Sequence, residues 1–446
     1  MIDAYPLENA LGMELYSTDF PGLGGKLKTR FEDFLVEEIS IDRQTINVHE
    51  WSESVETFRM VEGNSDRFVT FTVQKMGLST MDVANILASS LKISRNYVSY
   101  AGLKDKRAIT TQLMSVPSRA VDLLRSVELS RVDIRDISYT RHPIQVGDLW
   151  GNRFTILLRD INSDCDSATS VVNQIKKRPL LNYFGVQRFG LTRPNTHLVG
   201  KALIKRDFEG SVRAMLCTLS EFESEELRNV RLQLSEDLTP TEKIIDTFPD
   251  DLGYEKAVMK ELMKHPGDYE RAISKVPPRV LTLQVHAYQS YIFNRLLSLR
   301  TRSGISIQYP TVGDFVIKLD EAHSGRDTWL YVTETTLEKR LAQVESGEYA
   351  LALPIPGYST RLPPVKQSDL LIQILKEENT LLRDFRNPTM KSLNSPGGLH
   401  LASIDLPDLK VSCSEKGLLT SFSLRKGSYA TVVMREIMKN QPIHRV

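Results

Sequence analysis

The stretch "SYAGLKDKRAITTQ", Ser99 to Gln112, holds a single acid, Asp105, between Lys104 and the pair Lys106 and Arg107. Three adjacent cations favour an ionised carboxylate, which suits Asp105 to act as a nucleophile or base rather than as a proton donor. Gly102 permits a tight turn or the close approach of a ligand. The same cations attract phosphate. A carboxylate in an anion-attracting loop makes chemical sense when the target is one nucleotide of a polyanion, held by its phosphates while the acid meets the sugar or base. The run also reads as an exposed charged hairpin loop.

A second constellation is "NYFGVQRFG", Asn182 to Gly190, where Tyr183, Phe184 and Phe189 interleave with Arg188 and two glycines. Such a composition can stack an extruded base while a cation holds its phosphate. Aromatics that follow a helix also read as core. The segment sits in an acid-free run: between Lys176 and Arg206 there are eight Lys and Arg and no Asp or Glu. The whole chain has 57 basic and 56 acidic residues, so any attraction to a polyanion must be local. From Glu221 to Glu261 the sign reverses, with twelve acids against five bases.

Other chemistries fail on spacing. "PGLGGKLK" (Pro21 to Lys28) has Phe20 where a phosphate-binding Walker loop needs Gly and Leu27 where it needs Ser or Thr. "HEWSE" (His49 to Glu53) has Glu53 where a zinc-protease helix carries its second His. No metal and no cofactor are expected. Cys165, Cys217 and Cys413 are odd in number and widely scattered, which argues against a disulfide framework and for inert thiols. The N-terminus has no cationic segment leading into a hydrophobic run, and no window of about eighteen apolar residues occurs. A cytoplasmic protein is expected, with no membrane partner.

The elements that must position these residues alternate in type. "RFVTFTVQKMG" predicts a strand with Val69, Phe71 and Val73 on one face, and Ser79 or Thr80 caps a helix carrying Val83, Ile86, Leu87 and Leu91. Strands over Tyr97–Tyr100 and "TTQLMSVP" flank the Asp105 loop, and "GDLWGNRFTILLRDI" predicts another strand before an amphipathic helix over Ser167–Arg178. Asp207 to Lys391 is charged and mostly helical, with a long helix through "LQVHAYQSYIFNRLLSLR". After the linker "NSPGG", two strands and a helix capped at Ser428 return to the style of the first third. The expected organisation is a catalytic domain split between residues 1–206 and 394–446, with a helical domain, residues 207–393, inserted into it.

"YAGLKDKRAITTQ", "NYFGVQRFG" and "GSYATVVMREI", in this order and spacing, resemble the TruD family of tRNA pseudouridine synthases, and the similarity runs from about residue 20 to 440. "FEDFLVEE", "GDLWGNRFTILLR" and "LPIPGY" resemble further family segments. The resemblance implies an α+β fold: a pseudouridine synthase mixed-sheet catalytic domain with an inserted, largely helical α+β TRUD domain. It implies that Asp105 is the catalytic aspartate, that Phe184 stacks on the target uracil, that Asn182 helps hold the aspartate, and that Lys28 is a basic residue near the site. Lys104 and Arg188 join these as substrate-binding candidates. The implied reaction detaches uracil from C1′ of a tRNA uridine, rotates it and rejoins it through C5, without a cofactor, with position 13 as the expected target and a monomer as the expected state. Attack on C1′, attack on C6 and a glycal route all fit. Phe31 stands where bacterial relatives often show Pro, and the middle region is longer than theirs. A non-catalytic RNA-binding protein on the same scaffold is the competing reading, and a carboxylate-based nucleoside or glycoside hydrolase would need a second acid.

Overall fold

The structure is a computed structural model that describes residues 3–50, 60–319 and 329–445. Two compact units share the chain. One is built from Thr18–Leu180 and the residues from Ile404 on; the other from the first seventeen residues, Leu181–Ile317 and Leu330–Ser403. These units part at Leu180/Leu181 and Ser403/Ile404, not at the expected 206/207 and 393/394.

The first unit is a mixed ten-stranded sheet with helices, as the α+β expectation requires. Its main path runs Lys410–Ser414, Gly417–Arg425, Gly151–Ile161, Phe34–Ile39, Ile109–Pro117, Phe68–Met76, Val132–Thr140, Val61–Glu62. Gly24–Lys26 and Ser99–Tyr100 pair beside it, on Gly151–Ile161 and Ile109–Pro117 respectively. Most pairs are antiparallel; Phe34–Ile39 with Ile109–Pro117 and Val61–Glu62 with Val132–Thr140 are parallel. Gly417–Arg425 lies against Gly151–Ile161 over eight paired positions, so residues more than 250 apart share one ladder.

Alternation decides the faces. Val69, Phe71 and Val73 point into one core with Val83, Ala84 and Leu87 of the helix Thr80–Ser90. Each fully buried side chain of this kind contributes about 1.5–3 kcal/mol. Ser79 caps that helix in a reciprocal box with Asp82, its hydroxyl accepting from the Asp82 N–H. The final helix runs Ala430–Met438 with Tyr429, not Ser428, at its N-cap. The thiol expectation is also corrected: Cys165 and Cys413 are joined in a disulfide, with their Cα atoms 5.5 Å apart. They are 248 residues apart in sequence, and only the packing of the Cys165–Ile175 helix on the Lys410–Ser414 strand brings them together.

The second unit is built around the 25-residue helix Pro278–Arg302, which is buried on most sides. The helix Thr196–Lys205 lies so close to it that a Cβ at Gly200 would collide with the Gln284 carbonyl. This packing is why residues 181–206 belong here. The N-terminal residues join the same helix through Leu11 and Gly12, whose carbonyls accept from Asn294 and Ser298. A four-stranded sheet, ordered Trp329–Tyr331, Phe315–Lys318, Tyr349–Ile355, Gly398–Leu401, completes it. Among the described residues no helix is long and apolar enough to cross a membrane.

Candidate functional site

Residues 101–108 connect Ser99–Tyr100 to Ile109–Pro117, which pair in an antiparallel ladder. The connection is pinned through its backbone. Thr80 Oγ1 accepts from the Lys104 N–H at 2.9 Å and donates to Gln112 Oε1 at 2.9 Å, while Gln112 Nε2 donates to the Gly102 carbonyl at 3.2 Å. The Lys75 ammonium donates to the Leu78 carbonyl at 2.7 Å and to the Asp105 carbonyl at 2.8 Å. With the main chain held at several points, the Asp105 carboxylate projects from a fixed base and remains 45% exposed.

Among the described residues the ion pair of Asp105 is not with a cation adjacent in sequence. Lys104 is turned away: its ammonium lies 2.6 Å from Glu38 Oε2, and both side chains are almost wholly buried. This places the sequence-predicted substrate contact Lys104 under the loop, where it holds the loop to the sheet instead of facing a ligand. Lys106 is an exposed side chain, 4.0 Å from Asp82. Lys28 carries the local charge. Its ammonium is 3.4 Å from Asp105 Oδ1 and 4.3 Å above the Phe34 ring, and the residue is held at a left-handed φ of 53°. Lys28 is thus the ion-pair partner of Asp105 among the described residues.

Lys75, missed in the sequence, is fully buried beneath the loop. Burial pushes its ammonium down to about 8, against the opposing pull of Asp105. Its folded value lies below the ordinary 10.5, so between about pH 8 and 10.5 the unfolded chain holds a proton that the folded chain has released. This group's contribution to stability therefore rises with pH across that window, while its cationic charge under Asp105 is lost above about pH 8. Turnover should show an alkaline limb near pH 8. Lys75→Met should remove that limb and lower turnover at pH 7 by about tenfold or more, because two carbonyls lose a charged donor. A wild-type pH profile in Lys75→Met would remove Lys75 from the site.

Gly102 has no left-handed backbone, and a Cβ there would meet only Leu149, at 3.9 Å. The protein's own packing does not require glycine at this position.

In the other unit, Ser290, Asn294 and Ser298 stand four residues apart on the long helix and form a polar stripe. Each receives one residue of the aromatic segment. Tyr183 Oη pairs with Ser298 Oγ at 2.8 Å; the Asn294 amide accepts from the Phe184 N–H at 2.8 Å and donates to its carbonyl at 3.0 Å; Arg188 Nε donates to Ser290 Oγ at 3.3 Å. Phe184 is 8% exposed. His400 stacks on its ring at 4.4 Å and Phe293 meets it edge-on at 5.3 Å. Burial pushes the His400 imidazole down to about 4, so it is neutral at physiological pH, and it is hydrogen-bonded to the Asn182 backbone.

Asn182 is fully buried. Its Nδ2 donates to the Leu401 carbonyl at 3.0 Å, which fixes the amide orientation, and its Oδ1 has no partner among the described residues. An unmatched buried acceptor costs about 1–3 kcal/mol, so a residue kept in that state is a candidate for use by a ligand.

Arg193, Lys201 and Lys205, three of the eight cations in the acid-free run, are paired within the fold. Arg193 donates to Glu255 at 2.7 Å, Lys201 to Glu378 at 2.7 Å, and Lys205 to Asp384 at 2.6 Å. The acids come from distant segments. Among the described residues no cluster of His, Cys, Asp or Glu could hold a metal ion; Trp51–Glu53 of the rejected "HEWSE" motif lie outside them.

The family profile for tRNA pseudouridine synthase D (TruD) matches residues 10–437. The chain belongs to the TruD family. Two relatives carrying the provisional name tRNA pseudouridine synthase D show how complete the TruD similarity is. The Methanosarcina acetivorans protein is 32% identical over 449 residues, covering 98% of each chain, and the Archaeoglobus fulgidus protein is 33% identical over 438 residues, covering 98% of this chain and all of its own. A crystal structure from Methanosarcina mazei, whose assignment as TruD is likewise provisional, superposes with a TM-score of 0.80 at 29% identity, over 99% of this chain and all of that one. The mixed sheet is therefore that of the TruD fold.

Proposed function

We propose that this TruD-family protein converts uridine to pseudouridine in tRNA, with Asp105 as the catalytic carboxylate and position 13 as the target. The observation that carries the reading is the Asp105 loop: an accessible carboxylate on a backbone fixed by Lys75, Thr80 and Gln112, facing Lys28. The reaction breaks the C1′–N1 bond and forms C1′–C5; the C5 proton leaves to solvent and a proton ends on N1, so atoms and charge balance with no oxidant, donor or cofactor. A base in a stack must first be flipped out at a cost of a few kcal/mol, offset by stacking and phosphate contacts. In this reading Asp105 meets the flipped nucleoside, while Lys28 keeps the carboxylate oriented and offers a positive charge; in the other unit, Asn182 with its free amide oxygen and Phe184 with its ring are the substrate-binding residues that the family resemblance implies. Arg188, whose guanidinium is tied only to the Ser290 hydroxyl among the described residues, is the phosphate contact of that segment. The protein works as a monomer in the cytoplasm, where tRNA is its partner.

Glu37 and Glu38, the acids that a hydrolase reading would draw on from the neighbouring strand, are both engaged. Both oxygens of Glu38 are taken, by the Lys104 ammonium and by the Leu113 N–H at 3.0 Å, and Glu37 is bonded to Arg153 at 2.6 Å.

The test is incubation of the protein with unmodified tRNA transcripts, followed by carbodiimide modification and primer extension. A single stop at position 13 is expected; stops only elsewhere would move the target, and no stops would remove the activity. Phe184→Leu keeps apolar volume but removes the π face. Stacking by one base is worth about 1–3 kcal/mol, so turnover should fall by roughly 5- to 150-fold while tRNA affinity changes less. Unchanged turnover would reduce Phe184 to packing.

A further inference from the structure

The unit that carries Phe184 has a second cationic feature, which shares no lining residue with the aromatic cluster. It is an open depression of about 900 Å³ between the end of the Thr196–Lys205 helix and residues 383–394. Five lining side chains are basic, and the single acid among them, Asp384, is taken by Lys205 at 2.6 Å. Arg206, Arg383, Arg386 and Lys391 remain, all exposed, and none has a carboxylate partner among the described residues. Their outward direction follows from the local pattern: Phe385 and Leu393 are buried anchors, and the basic residues fall between and beside them. Arg206 closes its helix at a left-handed φ of 59°, which ends the helix at the rim.

A second observation points to what the depression takes. Asn387 is 3% exposed and lines it. Its Oδ1 accepts from the Thr389 N–H at 3.0 Å, the Thr389 hydroxyl at 2.9 Å and the Met390 N–H at 2.8 Å, so the amide cannot be reversed. Its Nδ2 is left buried with no acceptor among the described residues. A buried unpaired donor in a depression edged by four unpaired cations is complementary to an oxyanion. Beside it, the Arg386 guanidinium lies 5.8 Å from the ring centre of Tyr358, which is 38% exposed. An aromatic flank of this kind suits a sugar or base next to a phosphate.

We propose that this depression is a second RNA subsite, where Asn387 Nδ2 and the cations Arg206, Arg383, Arg386 and Lys391 hold backbone phosphates of the tRNA. The proposal rests on tRNA being the substrate. Its size and openness suit a length of sugar–phosphate chain and not one enclosed small anion. The subsite holds the body of the polyanion and takes no part in the chemistry.

The test compares Arg383→Glu/Lys391→Glu with Lys243→Glu/Lys339→Glu, an equal change of charge at exposed residues outside the depression. Affinity for a fluorescent full-length unmodified tRNA transcript is read by anisotropy across a series of KCl concentrations. The first pair should weaken binding at least about tenfold beyond the second, and lower the slope of log affinity against log salt by roughly 0.7–0.9 for each phosphate no longer held. The loss should appear in KM and not in the rate at saturating tRNA. Asn387→Asp keeps the hydrogen bonds accepted by Oδ1 and places a negative oxygen where Nδ2 stood; it should weaken binding in the same way. Equal affinity and slope in the two double variants would overturn the subsite. Pseudouridine formation is scored separately: its absence in the wild type would sink the functional reading, whereas normal conversion with an unaffected affinity would sink only the subsite.

Discussion

Asp105→Asn should leave the protein folded and able to bind tRNA while lowering pseudouridine formation by at least about 10³-fold, the scale on which a lost catalytic carboxylate is felt. The substitution removes charge and almost nothing else. Lys75 bonds the Asp105 carbonyl and not its carboxylate, and the other loop bonds run through the Lys104 N–H and the Gly102 carbonyl. The carboxylate is 45% exposed and its partner Lys28 is buried; the amide oxygen of the variant can still accept from that ammonium, so the stability loss should stay below about 2 kcal/mol. Thermal melting and tRNA affinity check the first half, and quantification of pseudouridine in the product checks the second. A mutant that turns over at the wild-type rate would remove Asp105 from the chemistry.

Glu38→Ala should act in the opposite manner, through stability. Glu38 and Lys104 are both buried, 2.6 Å apart, and Glu38 Oε1 also accepts from the Leu113 N–H. Removing Glu38 leaves a buried ammonium without its partner and a strand amide unpaired, for a loss of about 3–5 kcal/mol. Lys104 immediately precedes Asp105, so turnover should fall with stability. Replacing both partners by apolar residues, Glu38→Leu with Lys104→Met, removes the uncompensated charge and should recover most of the stability. Urea unfolding of the single and double variants measures this. Equal stability of Glu38→Ala and wild type would show that the pair does not hold the loop.

The sequence makes the Asp105 loop visible because its signal is local: a glycine, a lysine and one acid among bases, between two strand patterns. It does not show which cations serve the acid. That depends on strand register, which brings Lys28 from 77 residues away and Lys75 from 30 away while sending the adjacent Lys104 to Glu38. The basic run from Lys176 to Arg206 misleads for the same reason, since Glu255, Glu378 and Asp384 neutralise Arg193, Lys201 and Lys205 across the fold. The Cys165–Cys413 bridge lies beyond any spacing rule. By contrast, the stripe Ser290, Asn294 and Ser298 is readable: polar residues four apart within an apolar helix mark a face that must find partners, and Tyr183, Phe184 and Arg188 are those partners. Lys75 carries a weaker signal of the same kind, a cation at the end of an apolar strand, where burial obliges it to find carbonyls.

The central claim is that the uracil of a tRNA uridine is rejoined to its ribose through C5. A tRNA transcript labelled with tritium at C5 of uridine reports this directly, because the new carbon–carbon bond displaces that hydrogen. The account predicts release of tritium to water in step with pseudouridine, one for each site converted, and none with Asp105→Asn. Retention of the label by full-length unmodified tRNA in the presence of the folded wild-type protein would contradict it.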